Sequence, residues 1–180
     1  MPDEPPPHHR KLLRLAGYDY SSEGGYFITI VTYNRIPVFG RILDNELVLS
    51  KAGQISRSEW FRTQHLRENV GLFEDEFVVM PNHIHGVIWL RDESVGVERR
   101  SRHTKSNHPL VSPGSIPAII RAYKSAVTYT INSLQNTKGR PVWQRNYYEH
   151  IIRDEKDYEK IVEYIYQNPY NWEKDEENKL

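Results

Sequence analysis

The chain has no cysteine among its 180 residues, which removes disulfides, thiolate metal sites and cysteine nucleophiles together. Oxygen and imidazole groups are what remain for binding any metal. Neither sign of charge is in excess, since Lys and Arg number 24 and Asp and Glu number 24. The field of the whole molecule therefore gives no argument for a polyanionic partner, and a nucleic-acid site has to be local. No stretch approaches the roughly 18 consecutive apolar residues of a membrane span. The start, MPDEPPPHHRKLLRL, has acidic residues and a proline run where a secretory signal needs a basic segment followed by an apolar one. A cytoplasmic protein that does not enter the membrane is expected. One domain is also expected, because a chain of this length can bury one good core and not two.

What is present reads as alternating elements. Residues 1–17 are rich in Pro, His and Arg without periodicity and form an extended arm whose Arg10, Lys11 and Arg14 could meet phosphates; a solvated tail is the plainer reading. The β-branched and aromatic run Tyr26 to Tyr33 predicts a strand, central in its sheet. Residues 42–50 suggest a short hairpin or linker, and residues 51–67 a surface helix carrying Ile55, Trp60 and Leu66. Phe73 to Met80 predicts a second strand, Pro81-Asn82 a break, and His83 to Leu90 a third strand. After Arg91 comes a long basic segment with Arg99, Arg100, Arg102 and Lys105 and no repeated apolar spacing, which predicts a loop. From Ser115 the spacing of Ile116, Ile119, Ile120, Tyr123, Val127, Ile131 and Leu134 is helical. A strand-like segment over residues 142–152 precedes a last helix, capped by Asp154 and stopped by Pro169. The domain is thus read as residues 18–170, followed by a charged tail, 171–180, expected to fray. The order β-α-β-β-α-β-α suggests a ferredoxin-like α+β sandwich, an antiparallel sheet with helices packed on it.

The chemistry concentrates in Pro81-Asn82-His83-Ile84-His85-Gly86. Two histidines two apart on a strand project from one face and can close on one cation, while Ile84 points into core. Gly86 leaves room for a ligand or a neighbouring backbone to approach. Polar residues at a solvent edge are the plain alternative, but apolar flanks on both sides bury the pair, and buried imidazoles without a partner are costly. On the last helix the apolar stripe is Tyr158, Ile161, Val162 and Ile165. At about 100° per residue, Tyr164 and Asn168 share one shoulder of that stripe and Tyr166 takes the other. A phenol and an amide oxygen one turn apart could reach one point, as nucleophile and hard metal ligand; a core or surface aromatic is the plainer reading of Tyr164 taken alone. Tyr123 lies in its helix's apolar stripe and reads as core. Arg121 and Lys124 flank that stripe and could face phosphates or solvent. Trp143, Arg145, Tyr147, Tyr148 and His150 interleave aromatic and basic groups in a pattern suited to stacking unpaired bases, with half of them expected in the sheet core.

MPNHIHGVIWL followed by VWQRNYYEHIIRDEKDYEKIVEYIYQNP resembles the REP-associated tyrosine transposases, which are single-tyrosine HUH enzymes. The resemblance extends to GYDYSSEGGYFITIVTYNR and IPAIIRAYKSAVT, and so covers nearly the whole chain. It implies a domain that cuts and joins single-stranded DNA near short palindromic hairpins. His83 and His85 match the family's histidines, Tyr164 its nucleophile and Asn168 the third ligand, where many relatives carry Gln. The implied cofactor is Mg²⁺ or Mn²⁺ and the implied intermediate a 5′-phosphotyrosine. Monomers and homodimers both occur, and the chain beyond Pro169 is shorter than in some relatives, which leaves hairpin specificity open. Two other functions are compatible with parts of the sequence. A non-catalytic single-strand nucleic-acid-binding protein of ferredoxin-like fold needs neither the histidine pair nor Tyr164. A Zn²⁺ hydrolase would use His83 and His85 to activate water but lacks an acidic third ligand of obvious spacing.

Overall fold

A computed structural model describes residues 17–44, 46–91 and 112–178. The arm with Arg14 and the basic loop after Arg91 lie outside these residues. The first strand, β1 (Gly24–Val31), is followed by a hairpin of β2 (Gly40–Leu43) and β3 (Glu46–Leu49) and by helix α1 (Lys51–Leu66). Then come β4 (Val70–Gly71), β5 (Phe77–Val79), β6 (His83–Leu90), α2 (Ile116–Gln135), β7 (Tyr148–Ile151) and α3 (Glu155–Gln167). The main sheet has five strands in the order β4-β6-β1-β7, with β5 on the same edge of β6 as β4, and every pairing is antiparallel. Counted without the β2–β3 hairpin and the two-residue β4, the chain is the split β-α-β-β-α-β unit expected from the order of its elements. The extra α3 follows it.

Helices cover both faces of the sheet, which explains why β1 and β6 read as continuous apolar runs. Tyr26, Ile28 and Ile30 of β1 and Ile84, Ile88 and Leu90 of β6 pack in one core with Trp60 of α1 and with Ile119, Ile120, Tyr123 and Val127 of α2. Phe27 and Val87, pointing the other way, pack with Ile161 and Ile165 of α3. Each isoleucine fully buried in this way contributes about 1.5–3 kcal/mol. Trp60 is buried at the centre of the larger core, so α1 is anchored by more than the surface stripe expected of it. Gly86 belongs to this face too. A β-carbon there would meet Trp60 Cζ2 at 2.5 Å and Phe77 Cδ2 at 2.7 Å. The space read from sequence as room for a ligand is filled by an indole.

The helix ends follow their caps. Ser50 accepts a hydrogen bond from the Gly53 amide at 3.1 Å at the start of α1, and Asp154 accepts one from the Asp157 amide at 2.8 Å at the start of α3. Beyond α3 the described part of the tail, residues 171–178, is charged and docks on the domain. Residues Trp172–Lys174 and Glu176–Asn178 form two short 3₁₀ turns. The Arg35 guanidinium donates to Glu177 Oε2 at 3.2 and 3.3 Å, and Asn82 Nδ2 donates to the Glu177 carbonyl at 2.6 Å. Sequence spacing did not show this docking because charge alone marks a solvated tail and its partners lie far away along the chain.

Candidate active site

His83 and His85 stand on β6 opposite Val31 and Thr29 of β1, with neighbouring strands on both sides, so the pair sits inside the sheet. Their side chains project from the face that α3 covers, and both residues are buried. Ring centroids lie 4.5 Å apart. Each imidazole is oriented through Nδ1. Asn82 is turned by its bond to the Glu177 carbonyl so that its Oδ1 faces His83 Nδ1 at 2.8 Å, and that nitrogen must therefore be the donor. The Thr29 hydroxyl lies 2.8 Å from His85 Nδ1. Outer partners of this kind fix ring orientation and leave Nε2 for a cation or a proton.

Helix α3 brings Tyr164 to the same place. Its hydroxyl lies 3.3 Å from His85 Nε2, and its ring meets His85 edge-on at 5.0 Å and Phe27 at 6.0 Å. Tyr164 is 46% exposed, so an incoming chain can reach it. Tyr166 is more exposed, and its ring lies against Tyr170, with centroids 6.3 Å apart. The two tyrosines are thus separated as a helical wheel requires. Asn168, at the C-cap of α3, is buried, and its Oδ1 has no hydrogen-bond partner. A buried amide oxygen left in that state costs about 1–3 kcal/mol unless something else binds it, so the residue fits a role as a metal ligand.

The tail supplies a group that the sequence did not point to. Asp175 Oδ2 lies 3.6 Å from His83 Nε2, and ligand atoms of His83, His85 and Asp175 lie within 4.8 Å of one another. Asn82 and Thr29 were missed as well. Asn82 carried a signal, standing beside the histidine pair, whereas Thr29 becomes visible only when the register sets it opposite His85.

The expected nucleic-acid contacts are placed elsewhere. Lys124 lies on the opposite side of the sheet, where its ammonium donates to the Gln144 and Arg145 carbonyls at 2.6 and 3.0 Å. Burial pulls its pKa down to about 8, while the two carbonyls favour the charged form. Tyr147 packs against the larger core on that same side. Arg121 and Arg145 are exposed. None of these joins the histidines. Tyr148, by contrast, is opposite Thr29 in the register and so shares the histidine face. Tyr123 is buried, its hydroxyl 2.7 Å from that of Ser56, and burial raises its pKa. It serves as core.

The fold defined by this sheet and its helices is that of a solved structure of a REP-associated tyrosine transposase bound to a REP hairpin. That structure aligns with a TM-score of 0.59 at 22% identity, covering 86% of this chain and 72% of the other. In sequence, the chain is 27% identical over 153 residues to a Haemophilus influenzae protein named "Putative REP-associated tyrosine transposase", covering 84% of this chain and 73% of that one. No protein-family model matches. The chain belongs to the family of an uncharacterized Haemophilus influenzae protein to which it is 41% identical over 177 residues, 94% of this chain and 93% of its relative.

Proposed function

We propose that this protein cuts and rejoins single-stranded DNA through a covalent tyrosine intermediate, as a transposase-like enzyme. The observation that carries this reading is the Tyr164 hydroxyl 3.3 Å from His85 Nε2, at the edge of a cluster of metal-binding groups. The fold shared with a transposase structure and the sequence likeness to a transposase-named protein support it.

His83 and His85 through Nε2, and Asn168 through Oδ1, would hold Mg²⁺ or Mn²⁺. When bound, the cation supplies Lewis-acid polarisation of a non-bridging oxygen of the scissile phosphate. The residues themselves orient and react. The Tyr164 oxygen attacks phosphorus and gives its proton to water at its exposed side, the bond to the 3′-oxygen breaks, and that oxygen takes up a proton. The products are a 5′-phosphotyrosine and a free 3′-hydroxyl. Because the phosphotyrosine keeps the ester bond, attack by another 3′-hydroxyl restores a phosphodiester without a nucleotide cofactor. The Phe27 ring, edge-on to the phenol, keeps water from that side of it. Tyr164 meets His85 of its own chain, which favours action in cis by a monomer or by each protomer of a homodimer.

The partner proposed is single-stranded DNA beside a palindromic hairpin, with Arg121 and Arg145 the exposed candidates for backbone contact. No helix among the described residues is long and apolar enough to cross a membrane. Incubation with labelled hairpin DNA and Mn²⁺, followed by a denaturing gel, tests the reading: a covalent protein–DNA adduct is expected, and its absence with all substrates overturns it. Asp175 favours one second reading, a metal hydrolase, since it provides the acidic group near the histidines that the sequence lacked at any obvious spacing. Cleavage without an adduct would select that reading.

A further inference from the structure

We propose that Asp175 is itself a ligand of the divalent cation, carried into the site by the segment Trp172–Asn178, so that the last described turns of the chain are part of the metal centre. This rests on the reading of His83 and His85 as metal ligands. The Asp175 side chain is only 5% exposed, and its two oxygens are used differently. Oδ1 accepts a hydrogen bond from the Glu177 amide at 2.7 Å, which fixes the carboxylate, and Oδ2 is turned towards His83 Nε2 at 3.6 Å.

The same segment orients that histidine. Glu177 offers its carbonyl to Asn82 Nδ2, Asn82 thereby offers Oδ1 to His83 Nδ1, and Nδ1 carries the proton. Nε2 is the nitrogen left to face the Asp175 carboxylate oxygen. Their separation exceeds the 2.7–3.2 Å of an N–H···O bond, whereas two atoms each about 2.1 Å from one cation stand roughly 3–4 Å apart. The segment is held in place for this role from several sides. Arg35 binds the Glu177 carboxylate, Asn178 Nδ2 donates to the Trp172 carbonyl at 3.0 Å, and the Trp172 ring lies 6.1 Å from that of His83. Cation binding and docking of this segment are consequently linked: each strengthens the other.

The full chain is titrated with Mn²⁺ by calorimetry as wild type, Asp175→Ala, Asp175→Asn and His83→Ala, and the protease sensitivity of the segment is followed with and without Mn²⁺. Asp175→Ala should weaken Mn²⁺ binding by about ten-fold or more, the loss expected when the metal's immediate surroundings are broken. Mn²⁺ should protect the segment in the wild type and not in the variant. Asp175→Asn keeps the packing volume and should show the same direction, which covers the case in which the alanine variant fails to fold. If His83→Ala loses Mn²⁺ and both Asp175 variants bind it as tightly as wild type or more tightly, Asp175 is an ion-pair partner for a protonated His83 and the inference is overturned, with the metal site intact. A wild-type chain that binds no Mn²⁺ overturns the metal site and this inference together.

Discussion

Glu76 accepts a hydrogen bond from the Tyr158 hydroxyl at 2.5 Å through one carboxylate oxygen and from Trp89 Nε1 at 2.8 Å through the other. One buried carboxylate therefore ties α3 to β6 on the same face as the histidines, and with it fixes the helix that carries Tyr164. The bond to Glu76, then burial, raises the Tyr158 pKa to about 12. A phenol whose folded pKa is raised contributes stability fully present below its unfolded value of about 10 and lost as pH rises through the folded value. Between about pH 10 and 12 the wild type should lose stability more steeply than Tyr158→Phe. Thermal melts across that window check this, and parallel slopes would contradict it.

Tyr164→Phe should abolish the covalent adduct while leaving DNA and Mn²⁺ binding near wild type, because only the phenolic oxygen is removed. Tyr166→Phe should leave the adduct in place, since Tyr166 packs with Tyr170 outside the site. Protease digestion of trapped adduct and mass spectrometry locate the nucleotide. Finding it on Tyr166, Tyr158 or Tyr123 would overturn the residue assignment and spare the reaction class.

Asn82 touches no reacting group in this scheme, yet its replacement should weaken the site. Without its Oδ1, His83 Nδ1 loses the acceptor that orients the ring and selects the tautomer. Asn82→Ala is expected to lower Mn²⁺ affinity by roughly 10–100-fold, the size of outer-partner effects at metal sites, measured by the same calorimetric titration. An unchanged affinity would mean that the ring is held by packing alone.

Gly86→Ala should destabilise the fold and leave the site chemistry untouched, because the added carbon points to the face opposite the histidines. It would sit 2.5 Å from the Trp60 ring, which is fully buried and cannot swing away. A loss of about 1–3 kcal/mol is expected for such overpacking, read from chemical denaturation. A variant as stable as wild type would show that Trp60 can shift.

Sequence alone determined those properties that depend on periodicity and on local chemistry. The period of two on β6 put His83 and His85 on one face and Ile84 on the other. The helical period of α3 set Tyr164 apart from Tyr166, and Asp154 and Pro169 marked where that helix begins and ends. The split sandwich followed from the order of these elements. Only the tertiary structure decided what depends on contacts between distant segments. Nothing local in the charged run after Pro169 distinguishes Asp175 or Glu177 from a solvated acid, because their partners, His83, Asn82 and Arg35, come from strands and turns far earlier in the chain. The same holds for Lys124 and Gly86. A basic residue beside an apolar stripe can face phosphate or cap a carbonyl, and a glycine on a strand can face a ligand or an indole. Which of these occurs is settled by whatever the rest of the chain folds against it.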